Sequence, residues 1–170
     1  TNTFLDHDAA QFPEHILQRP RNVRESFDWL VSESTLSDGP LAGCVDGEDG
    51  YAVMGHSFGG YTAYVTSGAP LSKEVLEGYC SGGQQRACDV LTLWQAENPD
   101  ATQIQLGDPR VWAAVGLAPW DAYGLLGSGM ADITVPILPL TGVEDVTTPL
   151  SMVQGLVNAI DLAPNDFGKM

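Results

Sequence analysis

The chain of 170 residues, 44% of them hydrophobic, is long enough to form one domain with a buried core. Its 22 acidic and 7 basic residues give a formal net charge of −15, which argues against nucleic acid or an anionic membrane surface as a partner, because both are negatively charged. No apolar run approaches the roughly 20 residues of a transmembrane helix, so we expect no membrane insertion.

The first predicted element is a helix over residues 20–34, because its apolar residues follow a helical spacing. They are Val23, Phe27, Leu30 and Val31. Before it, the run Asp6-His7-Asp8 could form a metal or acid/base cluster, but a polar surface loop is the favoured interpretation. After it, residues 38–40 and 46–50 combine Asp, Gly and Pro, which is typical of turns.

The next stretch predicts a strand, a sharp turn and a helix. Residues 51–54 are apolar, Ser57 stands between Gly55 and Gly59, and residues 61–66 are compatible with a helix. In the pattern G-x-S-x-G the glycines allow a tight bend that holds the serine in a strained conformation with its hydroxyl exposed. We therefore predict Ser57 as a nucleophile.

The residues beside Ser57 have distinct predicted roles. The N–H of Phe58, at the start of the following helix, is expected to point to where negative charge develops on the oxygen of an attacked carbonyl. We therefore predict that it forms one half of an oxyanion hole. His56 is predicted to be a packing residue or a support for the site, because adjacent side chains on a tight turn diverge. The alternative for the whole stretch is a chance match, since the chain contains 19 glycines.

Two later apolar segments predict further strands. Residues 111–117 are nearly all apolar, which is typical of a parallel strand covered on both faces. Residues 133–140 form the next strand, although Pro136 and Pro139 shorten its regular part. Between them Trp120 and Tyr123 are expected at the rim of the substrate pocket. The order of elements predicts an α/β fold with a parallel sheet.

Residues 68–109 form a long excursion that precedes the second strand. We predict helices over residues 72–79 and 84–97, and the excursion is either a lid or pocket wall or a plain surface decoration. The short glycine-containing loop between Cys80 and Cys88 predicts a disulfide that leaves Cys44 free. Such a bridge implies an oxidising compartment, so we expect a secreted or periplasmic protein; the alternative is three reduced thiols in the cytosol.

No metal or cofactor is expected, because C-x-x-C spacing is absent and the histidines are not clustered with cysteines.

Three segments resemble the α/β-hydrolases, and within them the serine esterases related to dienelactone hydrolases and platelet-activating-factor acetylhydrolases. They are residues 52–63 (AVMGHSFGGYTA), 110–119 (RVWAAVGLAP) and 135–145 (VPILPLTGVED). Dienelactone hydrolases proper use a cysteine nucleophile, whereas this chain has Ser57, so the esterases are the closer likeness. The resemblance extends over about residues 20 to 160 in order and spacing.

The resemblance implies a catalytic triad in the chain order serine, acid, histidine. Asp145 matches the acid, which orients the histidine and stabilises its charged form. A helix opened by residues 147–149 and ending near Ile160 is expected to follow. If Asp145 is only an acid at a helix start, Glu144 and Asp121 are the substitutes.

The implied activity is hydrolysis of a small carboxylic ester through an acyl-serine. A catalytically degenerate module with a binding or structural role, or a serine amidase or thioesterase, is the alternative.

No histidine follows Asp145, where the family supplies its general base. We therefore expect residues 1–170 to be one incomplete α/β-hydrolase domain, the central to C-terminal portion, with little or no ester hydrolysis of its own. A complementing fragment would supply the histidine. The alternatives are that His7 or His15 reaches Ser57, or that a second copy in a homodimer donates one.

Overall fold

The computed structural model describes residues 12–161, except residue 123 and the side chains of residues 12, 13 and 161. In chain order the elements are α1 (Phe12–Ser34), β1 (Tyr51–His56), α2 (Phe58–Thr66), β2 (Leu71–Ser72), α3 (Lys73–Ser81), α4 (Gln85–Glu97), β3 (Gln103–Ile104), β4 (Val111–Leu117), a 3-10 helix (Gly127–Asp132), β5 (Ile137–Leu140) and α5 (Leu150–Asp161). None of the helices in this part of the chain combines the length and apolar character needed to cross a membrane.

Helix α1 is longer than the sequence predicts, because it begins at Phe12 and contains Pro20 in its interior. A proline has no N–H, so the carbonyl of Ile16, four residues earlier, loses its usual helical donor. The hydroxyl of Tyr61 donates to that carbonyl over 3.1 Å. Ile16 and Tyr61 are both fully buried, so this hydrogen bond from another helix satisfies the carbonyl that Pro20 leaves without a donor.

Strands β1, β4 and β5 form a three-stranded parallel sheet with β4 in the centre. The prediction of a mixed α/β fold with a parallel sheet is therefore confirmed. The predicted bounds of β4 are also correct, but β5 begins at Ile137 rather than Ile133. Pro136 contributes a carbonyl to the Ala114 N–H but has no N–H of its own, so regular pairing starts after it.

Residues 68–109 contain the two predicted helices, α3 and α4. Ser72 caps α3, since its hydroxyl accepts a hydrogen bond from the Val75 N–H. A disulfide joins Cys80 to Cys88 across the turn between the two helices, and Cys44 is a free, exposed cysteine. The short antiparallel pair of β2 and β3, which the sequence does not predict, closes this excursion at its base.

At the amino ends of β1 and β4 a dense network surrounds Asp108, whose side chain is 1% exposed. Arg110 donates two hydrogen bonds to the Asp108 carboxylate, at 2.9 and 2.7 Å, and the Tyr51 hydroxyl donates a third at 3.0 Å. Arg110 also pairs with Asp28 at 2.6 Å and stacks over the Phe27 ring. Burial alone would raise the pKa of Asp108, but the hydrogen bonds from Arg110 and Tyr51 outweigh it and hold that pKa below its usual value.

Within the described part of the chain, helices cover only one face of the sheet. Helix α2 packs on the covered face, where the Tyr64 hydroxyl leaves no room for a side chain at Gly116. The other face, which we call the bare face, carries Ala52, Met54, His56, Ala113, Val115, Leu117, Leu138 and Leu140.

The prediction that β4 is covered on both faces is therefore wrong for the described residues. The spatial order β1, β4, β5 follows the chain order, and successive right-handed crossovers in one direction put their connecting segments on the same face.

Candidate active site

Ser57 lies between the end of β1 and the start of α2 with backbone angles φ 53° and ψ −116°. A positive φ is uncommon for a residue with a side chain and stores strain, which persists only where the surrounding structure enforces it. Here the Ser57 carbonyl accepts hydrogen bonds from the N–H groups of Gly60, Tyr61 and Trp120. The Ser57 N–H donates to the Leu117 carbonyl at 2.9 Å, so both sides of the residue are anchored.

The glycines around Ser57 contribute unequally to this turn. A Cβ at Gly55 would lie 2.1 Å from the Gly59 carbonyl oxygen, and one at Gly60 would lie 2.7 Å from Pro119. A Cβ at Gly59 would meet nothing within 4 Å. The sequence interpretation that Gly55 and Gly59 share the same steric need is therefore corrected: Gly55 and Gly60 are the positions where the tight packing excludes a side chain.

Ser57 as a whole residue is half-buried. Among the residues that the structure describes, its hydroxyl has no hydrogen-bond partner and does not cap the helix that follows. It lies at the carboxyl edge of a parallel sheet, where loops position functional groups.

An aromatic cluster stands beside Ser57. The Phe58 ring packs edge-on against Trp120 with 5.3 Å between ring centroids, so Trp120, a predicted pocket residue, lies at the Ser57 turn. The half-buried Arg19 places its guanidinium 4.6 Å from the Phe58 ring centroid and donates from Nε to the Thr62 hydroxyl. The sequence does not predict Arg19 here, because only the packing of α1 on α2 brings it to this turn.

Phe58 is the first residue of α2, so its N–H belongs to the positive end of that helix. This location fits the predicted oxyanion-hole role. On the next strand, the Ala118 N–H donates to the Leu140 carbonyl at 2.6 Å, and Ala118 and Ala122 also have positive φ angles of 44° and 52°. The carboxyl ends of β1 and β4 thus share strained backbone, which no local sequence signal at the two alanines reveals. Tyr123, the other predicted pocket residue, lies outside the described residues.

Asp145 follows β5, and residues of the turn that leads into α5 donate hydrogen bonds to it. Its carboxylate accepts hydrogen bonds from the N–H groups of Thr147 and Thr148 at 2.8 and 2.9 Å and from the Thr148 hydroxyl at 2.8 Å. The bonds from Thr148 come first among the causes that lower the pKa of Asp145, and the nearby charge of His56 also lowers it. Asp145 is therefore held in its ionised form in the turn that precedes α5, and it lies at the same edge of the sheet as His56.

The two alternative acids and the histidines differ in how exposed they are. Glu144 is exposed, and Asp121 is half-buried in the loop after β4. His15 is buried in α1, and His56 is exposed on the bare face of the sheet. In the described part of the chain no histidine is hydrogen-bonded to Ser57; His7 lies outside that part.

A groove near this region lies between α1, the start of β1 and α2. Its volume is about 490 Å³, and its walls include Arg19, Phe27, Tyr51 and Thr62 but not Ser57. Within the described residues, no group of three or more histidine, cysteine, aspartate or glutamate side chains is placed to hold a metal ion.

A scan of the chain against models of known protein families finds no match, and a search of curated proteins finds no relative. The resemblance to serine esterases stays a prediction that rests on residues 52–63, 110–119 and 135–145.

Proposed function

We propose that this chain is a serine hydrolase of the α/β-hydrolase group that cleaves carboxylic esters through an acyl-serine intermediate. The observation that carries the proposal is the positive φ of Ser57 at a junction of a parallel strand and a helix. This is the conformation that presents a nucleophilic serine at the edge of an α/β sheet. Strain of this kind costs about 1–3 kcal/mol and concentrates at functional sites.

In the proposed reaction the Ser57 hydroxyl oxygen attacks the carbonyl carbon of the ester. The negative charge that develops on the carbonyl oxygen lies next to the N–H of Phe58, at the positive end of α2. The proton of the Ser57 hydroxyl passes through the general base to the alcohol as the bond to the alcohol breaks. Water then hydrolyses the acyl-serine, which releases the carboxylic acid and regenerates the hydroxyl. Trp120 beside Phe58 adds an apolar wall, which favours an apolar or aromatic group in the substrate.

The proposed role of Asp145 is to orient a histidine and stabilise its charged form. Its hydrogen bonds from Thr147 and Thr148 keep it ionised, and a carboxylate retains further lone-pair sites for a histidine N–H. Among the described residues, no histidine is hydrogen-bonded to Ser57, so the histidine of the proposed triad is not identified. We therefore expect Ser57 to react slowly and only with activated reagents, whose leaving groups depart without protonation while the Ser57 proton is lost to solvent.

A fluorophosphonate probe tests the proposal, because it labels an activated serine and leaves a non-catalytic fold unlabelled. We expect a single label on the wild-type chain and none on Ser57→Ala. Losing the nucleophile of a complete serine hydrolase costs on the order of 10⁶ in kcat. Ser128→Ala, which removes an exposed hydroxyl from the 3-10 helix, is the matched control and should label at the wild-type rate.

Labelling that persists in Ser57→Ala, or a wild-type chain that stays unlabelled, would overturn the proposal. The variants His7→Ala, His15→Ala and His56→Ala are labelled in parallel, since a large loss in only one of them identifies the base. Comparing turnover of a short p-nitrophenyl ester with turnover of a peptide amide distinguishes an esterase from an amidase.

A further inference from the structure

A short chain of contacts joins helix α1 to helix α2 beside Ser57. Arg19 donates a hydrogen bond from Nε to the Thr62 hydroxyl at 3.2 Å, and that hydroxyl donates to the Phe58 carbonyl at 2.9 Å. The Arg19 guanidinium also lies over the Phe58 ring, 4.6 Å from its centroid. Arg19 therefore restrains Phe58 twice, directly at the ring and through Thr62 at the carbonyl.

The contacts continue from Phe58 to the Ser57 turn. The Phe58 ring packs edge-on against Trp120, and the Trp120 N–H donates to the Ser57 carbonyl at 3.1 Å. Phe58 is the first residue of α2, so its N–H belongs to the positive end of that helix and follows Ser57 directly in the chain. The contacts of Arg19 therefore hold in place the residue whose N–H receives the oxyanion in the proposed reaction.

The position of Arg19 is fixed in turn by the packing of α1 on α2. Pro20 leaves the Ile16 carbonyl without its helical donor, and the Tyr61 hydroxyl on α2 donates to that carbonyl instead. This bond fastens the turn of α1 that carries Arg19 to α2. Partial burial lowers the pKa of the Arg19 guanidinium because its charge loses water, but an arginine keeps its charge at neutral pH. A partly dehydrated guanidinium binds an aromatic face more strongly than a solvated one.

We propose that Arg19 is a positioning residue, which holds Phe58 so that its N–H faces the oxyanion formed when Ser57 is acylated. This role rests on the proposed function for its chemical consequence. A misplaced catalytic group loses its effect steeply, since a shift of about 1 Å costs up to about 10²-fold in rate. Loss of Arg19 should therefore slow the acylation step more than it weakens the binding of the reagent.

The kinetics of labelling by a fluorophosphonate test this role. The Ser57 oxygen bonds to phosphorus, fluoride leaves with the electrons of the P–F bond, and the Ser57 proton is lost to solvent; the phosphonyl oxygen takes the place of the ester carbonyl oxygen. Arg19→Met keeps an unbranched apolar side chain but removes the charge and the hydrogen bond to Thr62. We expect its maximal labelling rate to fall by about tenfold, while the probe concentration at half-maximal rate changes by less than about twofold.

Two further variants examine the same chain of contacts. Thr62→Val removes the hydroxyl that links Arg19 to the Phe58 carbonyl and should lower the maximal labelling rate by about threefold. Arg19→Lys keeps a cation for the Phe58 ring and should recover part of the rate that Arg19→Met loses.

Two control variants separate positioning from a general contribution to stability. Ile16→Val removes a methylene group from a fully buried side chain of α1, so it should lower stability and leave the labelling rate within about twofold of wild type. Arg24→Met removes an exposed guanidinium from the same helix and should change neither quantity. Circular dichroism melting curves report the stability of each variant.

The Phe58 amide signal in a nitrogen-15 NMR spectrum gives a readout that does not depend on any reaction. We expect this signal to shift or broaden in Arg19→Met and in Thr62→Val, because both variants release Phe58 from a contact. It should keep its position in Arg24→Met.

The outcomes distinguish this role from the proposed function. If wild type is labelled at Ser57 and Arg19→Met is labelled at the same maximal rate, the role of Arg19 is overturned and the hydrolase proposal stands. A loss of labelling in Ile16→Val as large as that in Arg19→Met would also overturn the role, because the effect would then follow stability. If wild type stays unlabelled, the proposed function fails and the Phe58 signal decides: a shift in Arg19→Met supports the positioning of Phe58, and an unchanged signal overturns it.

Discussion

The two ends of the parallel sheet are built differently. At the amino ends of β1 and β4, Asp108 is surrounded by donors from Tyr51 and Arg110, and its side chain is almost completely buried. At the carboxyl ends, Ser57 and Ala118 have positive φ angles, and the Ser57 hydroxyl has no partner among the described residues. The polar groups at the amino ends, which we call the satisfied end, are therefore hydrogen-bonded. The carboxyl ends, which we call the reactive end after the proposed function, contain strained backbone and a hydroxyl with no hydrogen bond to the described residues.

Under the proposed function, this difference teaches that stability and reactivity are separated along the length of the same strands. A rigid, satisfied end anchors β1 and β4, so the opposite end can retain a conformation that is locally unfavourable. Functional groups on strained segments depend on a scaffold of this kind. Substitutions at the carboxyl ends should consequently change the reaction with acylating reagents, whereas substitutions at the amino ends should change stability and leave that reaction intact.

The largest effect is expected for Gly55→Ala, which disrupts the reactive end. Its Cβ would lie 2.1 Å from the Gly59 carbonyl oxygen, and backbone on both sides must move to relieve that contact. We expect a loss of about 3 kcal/mol in the free energy of unfolding, together with loss of probe labelling at Ser57. Urea unfolding followed by circular dichroism measures the first quantity.

Gly59→Ala is the matched control for this turn. Its Cβ meets open space within α2, and alanine is a better helix former than glycine by up to about 1 kcal/mol. We expect unchanged or slightly increased stability. Equal losses for the two variants would show that the turn does not have the described geometry.

The next effect is at the satisfied end, where Asp108→Asn removes the charge that Arg110 and Tyr51 surround. We expect a loss of about 2 kcal/mol at pH 7, because donors around a buried site are left without their acceptor. Asp28→Asn is the control, since its side chain is 53% exposed and its pairing with Arg110 contributes less than about 1 kcal/mol.

The pH dependence of this loss has a definite sign. The pKa of Asp108 is lowered in the folded protein, so its contribution is fully present above its ordinary value of 3.8 and is lost as the pH falls below that value. The stability difference between wild type and Asp108→Asn should therefore shrink in acid. A difference that stays constant across this range would mean that the carboxylate charge does not stabilise the fold.

The smallest effect on the free energy of unfolding is expected for Ser57→Gly. Its sign is opposite to that of the preceding losses, because this substitution should stabilise the fold. Glycine adopts a positive φ without the steric cost of a side chain, so we expect the free energy of unfolding to rise by about 1 kcal/mol while acylation is lost. Ser57→Ala keeps the strain and should show no such gain. If both variants are equally stable, the backbone at Ser57 is not strained.

The parts of the fold that are set locally could be predicted from the sequence. The turn at Ser57 and strand β4 follow from short patterns of glycine and apolar residues, and Cys80 and Cys88 lie close together in the chain. The start of α1 could not be predicted, because the hydrogen bond that accommodates Pro20 comes from Tyr61, which is distant in sequence.

The candidate site shows the same division between local and long-range information. Ser57 and Phe58 are placed by their own motif, whereas Arg19 reaches Phe58 only through the packing of α1 on α2. The bare face depends on the order of strands in the sheet, which an apolar run such as residues 111–117 does not specify. Long-range packing and strand order therefore account for most of what the sequence patterns left undetermined.

The most direct test of the central claim, that the carboxyl end of the sheet presents a reactive serine, is acetylation by p-nitrophenyl acetate followed by peptide mapping in a mass spectrometer. The ester has a leaving group that needs no protonation, so the reaction depends on Ser57 and its surroundings alone. We predict one acetyl group on the peptide that contains Ser57 in wild type and in Asp108→Asn, and none in Ser57→Gly. Acetylation confined to lysines or to other serines, with Ser57 unmodified, would contradict the account.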